Sequence, residues 1–137
     1  MTDYTPVSTP PTPGAYERPG MVTAIAIMTI VSGAMNIMYA LGITAAIVLG
    51  TIGIGIICAP ITILPGILAI FEIIYGVNLL SVPPKPTQPS QVIAILEICC
   101  ALTLNIIPLV VGILALVFYG DPKVKEYFTR INTRPIE

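Results

Sequence analysis

The chain has 137 residues, of which 55% are hydrophobic and 9% charged, with a formal net charge of -1 and no histidine. A mean hydropathy of +0.94 leaves too few charges to cover a water-facing surface, which excludes an ordinary soluble domain. The acidic balance excludes a nucleic-acid partner, which needs a dense field of Lys and Arg, and the missing His removes the commonest general base and neutral metal ligand.

Residues 1–20, MTDYTPVSTPPTPGAYERPG, hold five prolines and lack the basic start of a cleaved signal peptide. They read as a disordered Pro-rich cytoplasmic tail, with Pro10, Pro11 and Pro13 able to offer a polyproline surface, and the apolar run after them reads as a retained transmembrane helix. From residue 21 to residue 81 the one formally charged side chain is Glu72. At about 1.5 Å per residue this stretch is too long for one crossing of a hydrocarbon layer about 30 Å thick.

Residues 21–80 are therefore expected to form a first transmembrane hairpin. Ser32, Gly33 and Ala34 put small atoms in the middle of its first helix, where a neighbour can approach closely, and Asn36 shares a face with Gly33. Gly50, Gly53 and Gly55 favour a turn within 50–55, giving two arms of roughly 28 residues that must tilt or project. Turns near Gly42 and Pro60 would instead give three short crossings, with less economy because lipid-level turns leave backbone groups unpaired. Pro60 and Pro65 bend or restart the second arm, which carries Gly66, Glu72, Tyr75 and Asn78.

Residues 81–91, SVPPKPTQPSQ, form a Pro-rich loop at headgroup level or in water. The apolar residues 92–120 contain Glu97, a break signal at Asn105 to Pro108, and Gly112 as a further helix-packing position. They form a second short hairpin or a single kinked helix. The preferred architecture is an all-α membrane protein with four transmembrane segments in two hairpins; the alternative is three longer transmembrane helices.

Beyond Gly120, Asp121 caps a helix opening on Pro122, and Val124, Phe128 and Ile131 recur at helical spacing. Residues 121–137 thus read as an amphipathic basic segment on the membrane surface, with Phe128 in the interface and Lys123, Lys125 and Arg130 meeting anionic lipid. Four of the six basic residues, Lys123, Lys125, Arg130 and Arg134, follow the last crossing, so the positive-inside rule puts the C-terminus in the cytoplasm. Lys85 votes for the same side, and an even number of crossings then puts the N-terminus there too, in a multi-pass protein of the cell inner membrane.

Glu72 and Glu97 are the sharpest candidates for chemistry. Counted from the loop they lie about 14 Å and about 10 Å along their helices, at comparable depth. A carboxyl group in hydrocarbon must protonate, pair or face a polar interior. Structural hydrogen bonding is favoured over contact with a partner and over ion or proton transfer, with Asn78, Tyr75 and Thr103 close enough in sequence to accept. Asn36 and Asn105 read as interhelical hydrogen-bonding residues. Tyr39, Tyr75 and Tyr119 read as interface anchors. Cys58, Cys99 and Cys100 have no C-x-x-C spacing and read as packing residues. No cofactor or metal is implied, and no nucleophile with a base partner or phosphate-binding loop is present.

Four stretches, IVSGA at 30–34, GILAIFEIIYGVNLL at 66–80, NIIP at 105–108 and DPKVKEYF at 121–128, resemble the pattern of small bacterial tetraspan membrane proteins of uncharacterised families. That resemblance covers about 100 residues and implies four helices, without an activity. The expected function is a non-enzymatic accessory or scaffolding subunit of a larger membrane complex, partnered by other membrane subunits, itself or lipids. The alternatives are an ion or small-solute conductor or proton relay using Glu72 and Glu97, and a membrane-shaping or lipid-binding homo-oligomer.

Overall fold

Pro19 opens the first helix: its carbonyl accepts from the backbone N–H groups of Val22 and Thr23, and α1 then runs unbroken over Gly20–Gly50. The computed structural model describes residues 17–133, so residues 1–16 of the expected disordered tail, and Arg134, lie outside it. Helix α1 ends where Gly53 adopts φ +88 and returns its N–H to the Val48 carbonyl at 2.8 Å. A side chain could not follow that left-handed turn without strain. A 3₁₀ turn, Ile54–Cys58, leads into α2, Ala59–Leu80, with Pro60 in the first turn, where a missing N–H costs no helical bond.

Helices α1 and α2 are antiparallel and meet along a seam of small residues. A Cβ on Gly33 would lie 3.0 Å from the Ala69 carbonyl, one on Gly76 2.8 Å from the Ala26 carbonyl, and one on Gly66 3.1 Å from Ala40 Cβ. Such close backbone approach supplies dispersion contacts where lipid offers no hydrophobic drive between helices.

The loop at 81–90 ends on Ser90, whose hydroxyl accepts from Ile93 N and caps α3, Gln91–Cys99. A 3₁₀ extension, Cys100–Thr103, and a left-handed Leu104 at φ +61 reverse the chain into α4, Ile106–Gly120. This second hairpin closes against Gly112, where a Cβ would sit 2.5 Å from the Ala94 carbonyl. The chain then bends by 78° into α5, Pro122–Asn132, capped by the Asp121 carboxylate accepting from Lys123 N at 2.8 Å.

The two hairpins differ in length. Helix α1 is about 46 Å long, whereas α3 with its extension reaches about 20 Å. The tip of the second hairpin therefore stops at the middle of α1, where Asn105 Nδ2 donates to Asn36 Oδ1 at 2.8 Å. Two helices, Gly20–Gly50 and Ile54–Leu80, are long and apolar enough to cross a membrane, and a third candidate exists only if the bent pair α4 and α5 counts as one span. Neither α3, with 9 residues, nor α4, with 15, has the roughly 20 that a crossing needs, so the four crossings expected from the pattern are not matched by four helices of crossing length. Residues 92–120 are not one kinked helix either, because the chain reverses at Leu104.

Three long-range hydrogen bonds gather the chain entry, the loop and α5 at one end: Arg18 to the Ser81 carbonyl at 3.0 Å, Arg130 to the Glu17 carbonyl at 2.8 Å, and Asn132 to the Thr87 carbonyl at 2.9 Å. The core lies beneath this end, with Val22, Ile25, Leu79 and Tyr119 packed against Val124, Tyr127, Phe128 and Ile131. This corrects the expected position of Phe128. The 78° bend folds the apolar face of α5 back onto the protein, and the Phe128 ring meets that of Tyr119 edge-on at 6.1 Å. Lys123 and Lys125 remain exposed, while Arg130 lies over the Tyr127 ring at 5.7 Å.

Candidate functional site

The distribution of side chains is inverted relative to a water-soluble protein. Ile27, Val31, Met38, Phe71, Ile74 and Val117 are exposed, while Thr29, Ser32, Asn36, Glu72, Glu97 and Asn105 are buried. Hydrocarbon outside and polar groups inside is the arrangement a bilayer selects.

Those polar side chains come from α1, α2, α3 and the 104–105 turn, around the tip of the second hairpin. Ser32 and Asn36 are one turn apart on the buried face of α1, which packs against α2 and α4. Asn36 Nδ2 donates to both carboxyl oxygens of Glu72, at 3.0 and 3.1 Å, and Asn36 Oδ1 accepts from Asn105. One amide thus ties α1, α2 and the 104–105 turn together. Glycines make room for the acids: a Cβ on Gly33 would lie 3.2 Å from Glu72 Cβ, and one on Gly112 3.0 Å from Glu97 Cβ.

Glu97 has no comparable partner. Its side chain is 1% exposed, and both carboxyl oxygens are buried without a hydrogen bond among the described residues. The buried Ser32 hydroxyl is equally unpartnered, although Ser32 is the near neighbour common to Glu72 and Glu97. Cys100, also buried, lies within electrostatic reach of both acids. A second polar chain reaches the loop. Tyr119 is an electrostatic neighbour of Glu97, its hydroxyl lies 2.9 Å from that of Tyr75, and Tyr75 accepts from Ser90 N at 3.1 Å beside an open cleft lined by Thr87, Gln88 and Gln91.

The pattern singled out Glu72, Glu97, Asn36 and Asn105, and the fold brings these four together. Asn78 is not among them: it sits at the end of α2, where its side-chain Oδ1 accepts from Lys85 Nζ at 3.4 Å. Ser32, Gly33, Gly66 and Gly112 occupy helix contacts, but Ala34 is exposed, one position off the seam. Gly76, the tightest contact on α2, was missed, although its Gly-x-x-Leu-Leu setting near the end of an apolar run is visible in the sequence. Tyr75 and Tyr119 bond each other inside the bundle instead of anchoring at headgroups. Cys58 and Cys99 are exposed, which corrects their reading as packing residues; only Cys100 is buried. Among the described residues no three His, Cys, Asp or Glu side chains are grouped for a metal ion.

No family model, curated protein or solved structure matches this chain. Two carboxyls are buried in the bundle, one held by the Asn36 amide and one without a hydrogen bond among the described residues.

Proposed function

We propose that the protein is a non-enzymatic subunit of an integral membrane assembly and acts by helix packing. The observation that carries this is the unequal length of the hairpins. Because the second stops at the level of Asn36, the far half of α1 and α2 has no cover from the described chain, leaving an open groove of about 770 Å³ lined by Ala40, Leu41, Ala45, Val48, Gly66 and Ile67. Small residues on its floor and aliphatic ones on its walls suit a hydrophobic helix from another subunit or a second copy.

An ion conductor fits less well, because among the described residues the far half continues no charged path, and its side chains join the two helices through the 2.7 Å bond between the hydroxyls of Thr44 and Thr62. Lipid anchoring through α5 also loses ground, since its apolar face is spent on the protein core. The basic residues Arg18, Lys85, Lys123, Lys125 and Arg130 all belong to the loop end, which supports a cytoplasmic position for that end in the inner membrane.

Gentle detergent extraction tests the proposal. The chain should migrate with a second polypeptide or a second copy, and Ala45→Phe, which fills the groove from an exposed position, should release it. A chain that extracts as a lone monomer, unaffected by Ala45→Phe, would overturn the assignment.

A further inference from the structure

The orphaned carboxyl of Glu97 calls for a guest. An ionised carboxylate accepts hydrogen bonds only, and among the described residues none donates to it and no Lys or Arg lies beside it in the bundle to offset its charge. Glu72 is placed differently, because both of its oxygens accept from Asn36. The unpartnered Ser32 hydroxyl adjoins both acids and can accept from one while donating to the other. A single added proton therefore completes every bond: Glu97 donates to Ser32 Oγ, Ser32 donates to Glu72, and Glu72 keeps its two bonds from Asn36, which is itself held by Asn105.

We propose that this cluster is a binding site for one exchangeable proton, shared by Glu97 and Glu72 through the Ser32 hydroxyl and reached from the loop end past Tyr75 and Tyr119. The transfer balances without other reactants. The Glu97 O–H bond breaks as its proton bonds to Ser32 Oγ, the original Ser32 proton passes to Glu72, and the two acids hold one proton between them before and after. The groups the pair meets among the described residues are Ser32 and Asn36 from α1, with Asn105 behind Asn36, and Cys100 and Tyr119 lie within electrostatic reach; none is basic. Access is from one side, since the tyrosine chain ends at the cleft beside Ser90 and among the described residues no corresponding chain enters the far half. The site thus exchanges protons with the loop-side compartment and does not conduct them across the membrane.

This inference goes beyond the packing role and is tested on the purified chain in lipid nanodiscs, where partners play no part. Infrared difference spectra across a pH jump should show a protonated carboxyl band at neutral pH that shifts in heavy water. Glu97→Gln, isosteric and able to donate to Ser32, should abolish that band while circular dichroism stays helical. Ser32→Ala should keep the band but raise its frequency, as a hydrogen bond to the acid is lost. Tyr119→Phe should keep the band and slow its response to the jump several-fold. Absence of the band in the unaltered chain, or its survival at full strength in Glu97→Gln, overturns the proton site; an unchanged rate in Tyr119→Phe overturns the entry path.

Discussion

Asn36 is the residue on which the polar centre turns, because one side chain serves as donor to Glu72 and as acceptor for Asn105. Replacing it with the nearly isosteric Leu keeps the volume and strands both partners. Interhelical hydrogen bonds in membranes average only about 0.6 kcal/mol, since the unfolded chain finds other partners. A buried carboxyl stripped of its donors is a heavier loss, and Asn36→Leu should cost roughly 1–3 kcal/mol. Reversible unfolding in mixed micelles would measure it, and the double variant Asn36→Leu with Glu72→Leu should be less destabilised than the sum of the two. The importance of Asn36, Glu72 and Glu97 was legible in the sequence because polar groups in apolar helices must find one another. That Asn105 rather than Asn78 completes the set was not. It depends on a chain reversal at Leu104, a residue type that gives no sign of a left-handed conformation.

At the scale of elements, the glycines divide sharply by what surrounds them. A Cβ on Gly76 would lie 2.5 Å from Ile30 Cγ1 and 2.8 Å from the Ala26 carbonyl, so α1 and α2 would have to part. Gly76→Ala should lower stability by about 1–3 kcal/mol, the usual cost of overpacking. Gly42 has nothing within 4 Å of an added Cβ, and Gly42→Ala should be neutral or gain up to about 1 kcal/mol from helix propensity. Thermal aggregation of the two variants side by side gives the comparison. An all-apolar helix has no polar face to mark its orientation, which is why Ala34 and Gly33 looked equivalent in sequence while only Gly33 faces α2. The glycine cluster at 50–55 was more informative, since chain reversal needs what glycine supplies. Helix α5 was legible as amphipathic, but its sequence could not say whether lipid or protein takes the apolar face. With Phe128 3% exposed against Tyr119 and Tyr127, Phe128→Ala should cost about 3–5 kcal/mol and make residues 121–137 sensitive to added protease.

For the whole molecule the decisive property is that one hairpin is half the length of the other. Leu102, Leu104 and Ile106 cover the short hairpin's tip with exposed apolar side chains, and the tip docks on the middle of α1 rather than near the Ile54–Cys58 turn. With α1 and α2 across a bilayer, the tip would lie inside hydrocarbon, its polar Asn105 turned onto Asn36 and its apolar residues turned outward. Irregular backbone at that depth is tolerated only where protein covers its polar groups. Single cysteines placed in a chain whose native cysteines are replaced by serine or alanine should separate this arrangement from two full crossings. With an impermeant thiol reagent, Lys85→Cys and Asn132→Cys should react from the same side, since Asn132 bonds the Thr87 carbonyl, and Ile52→Cys from the opposite side. Leu102→Cys decides the matter: buried in hydrocarbon, it should resist the reagent from both sides until detergent is added. Reaction of Leu102→Cys from the same side as Ile52→Cys would mean that the second hairpin spans the membrane after all, with the bilayer thinned to about 20 Å around it.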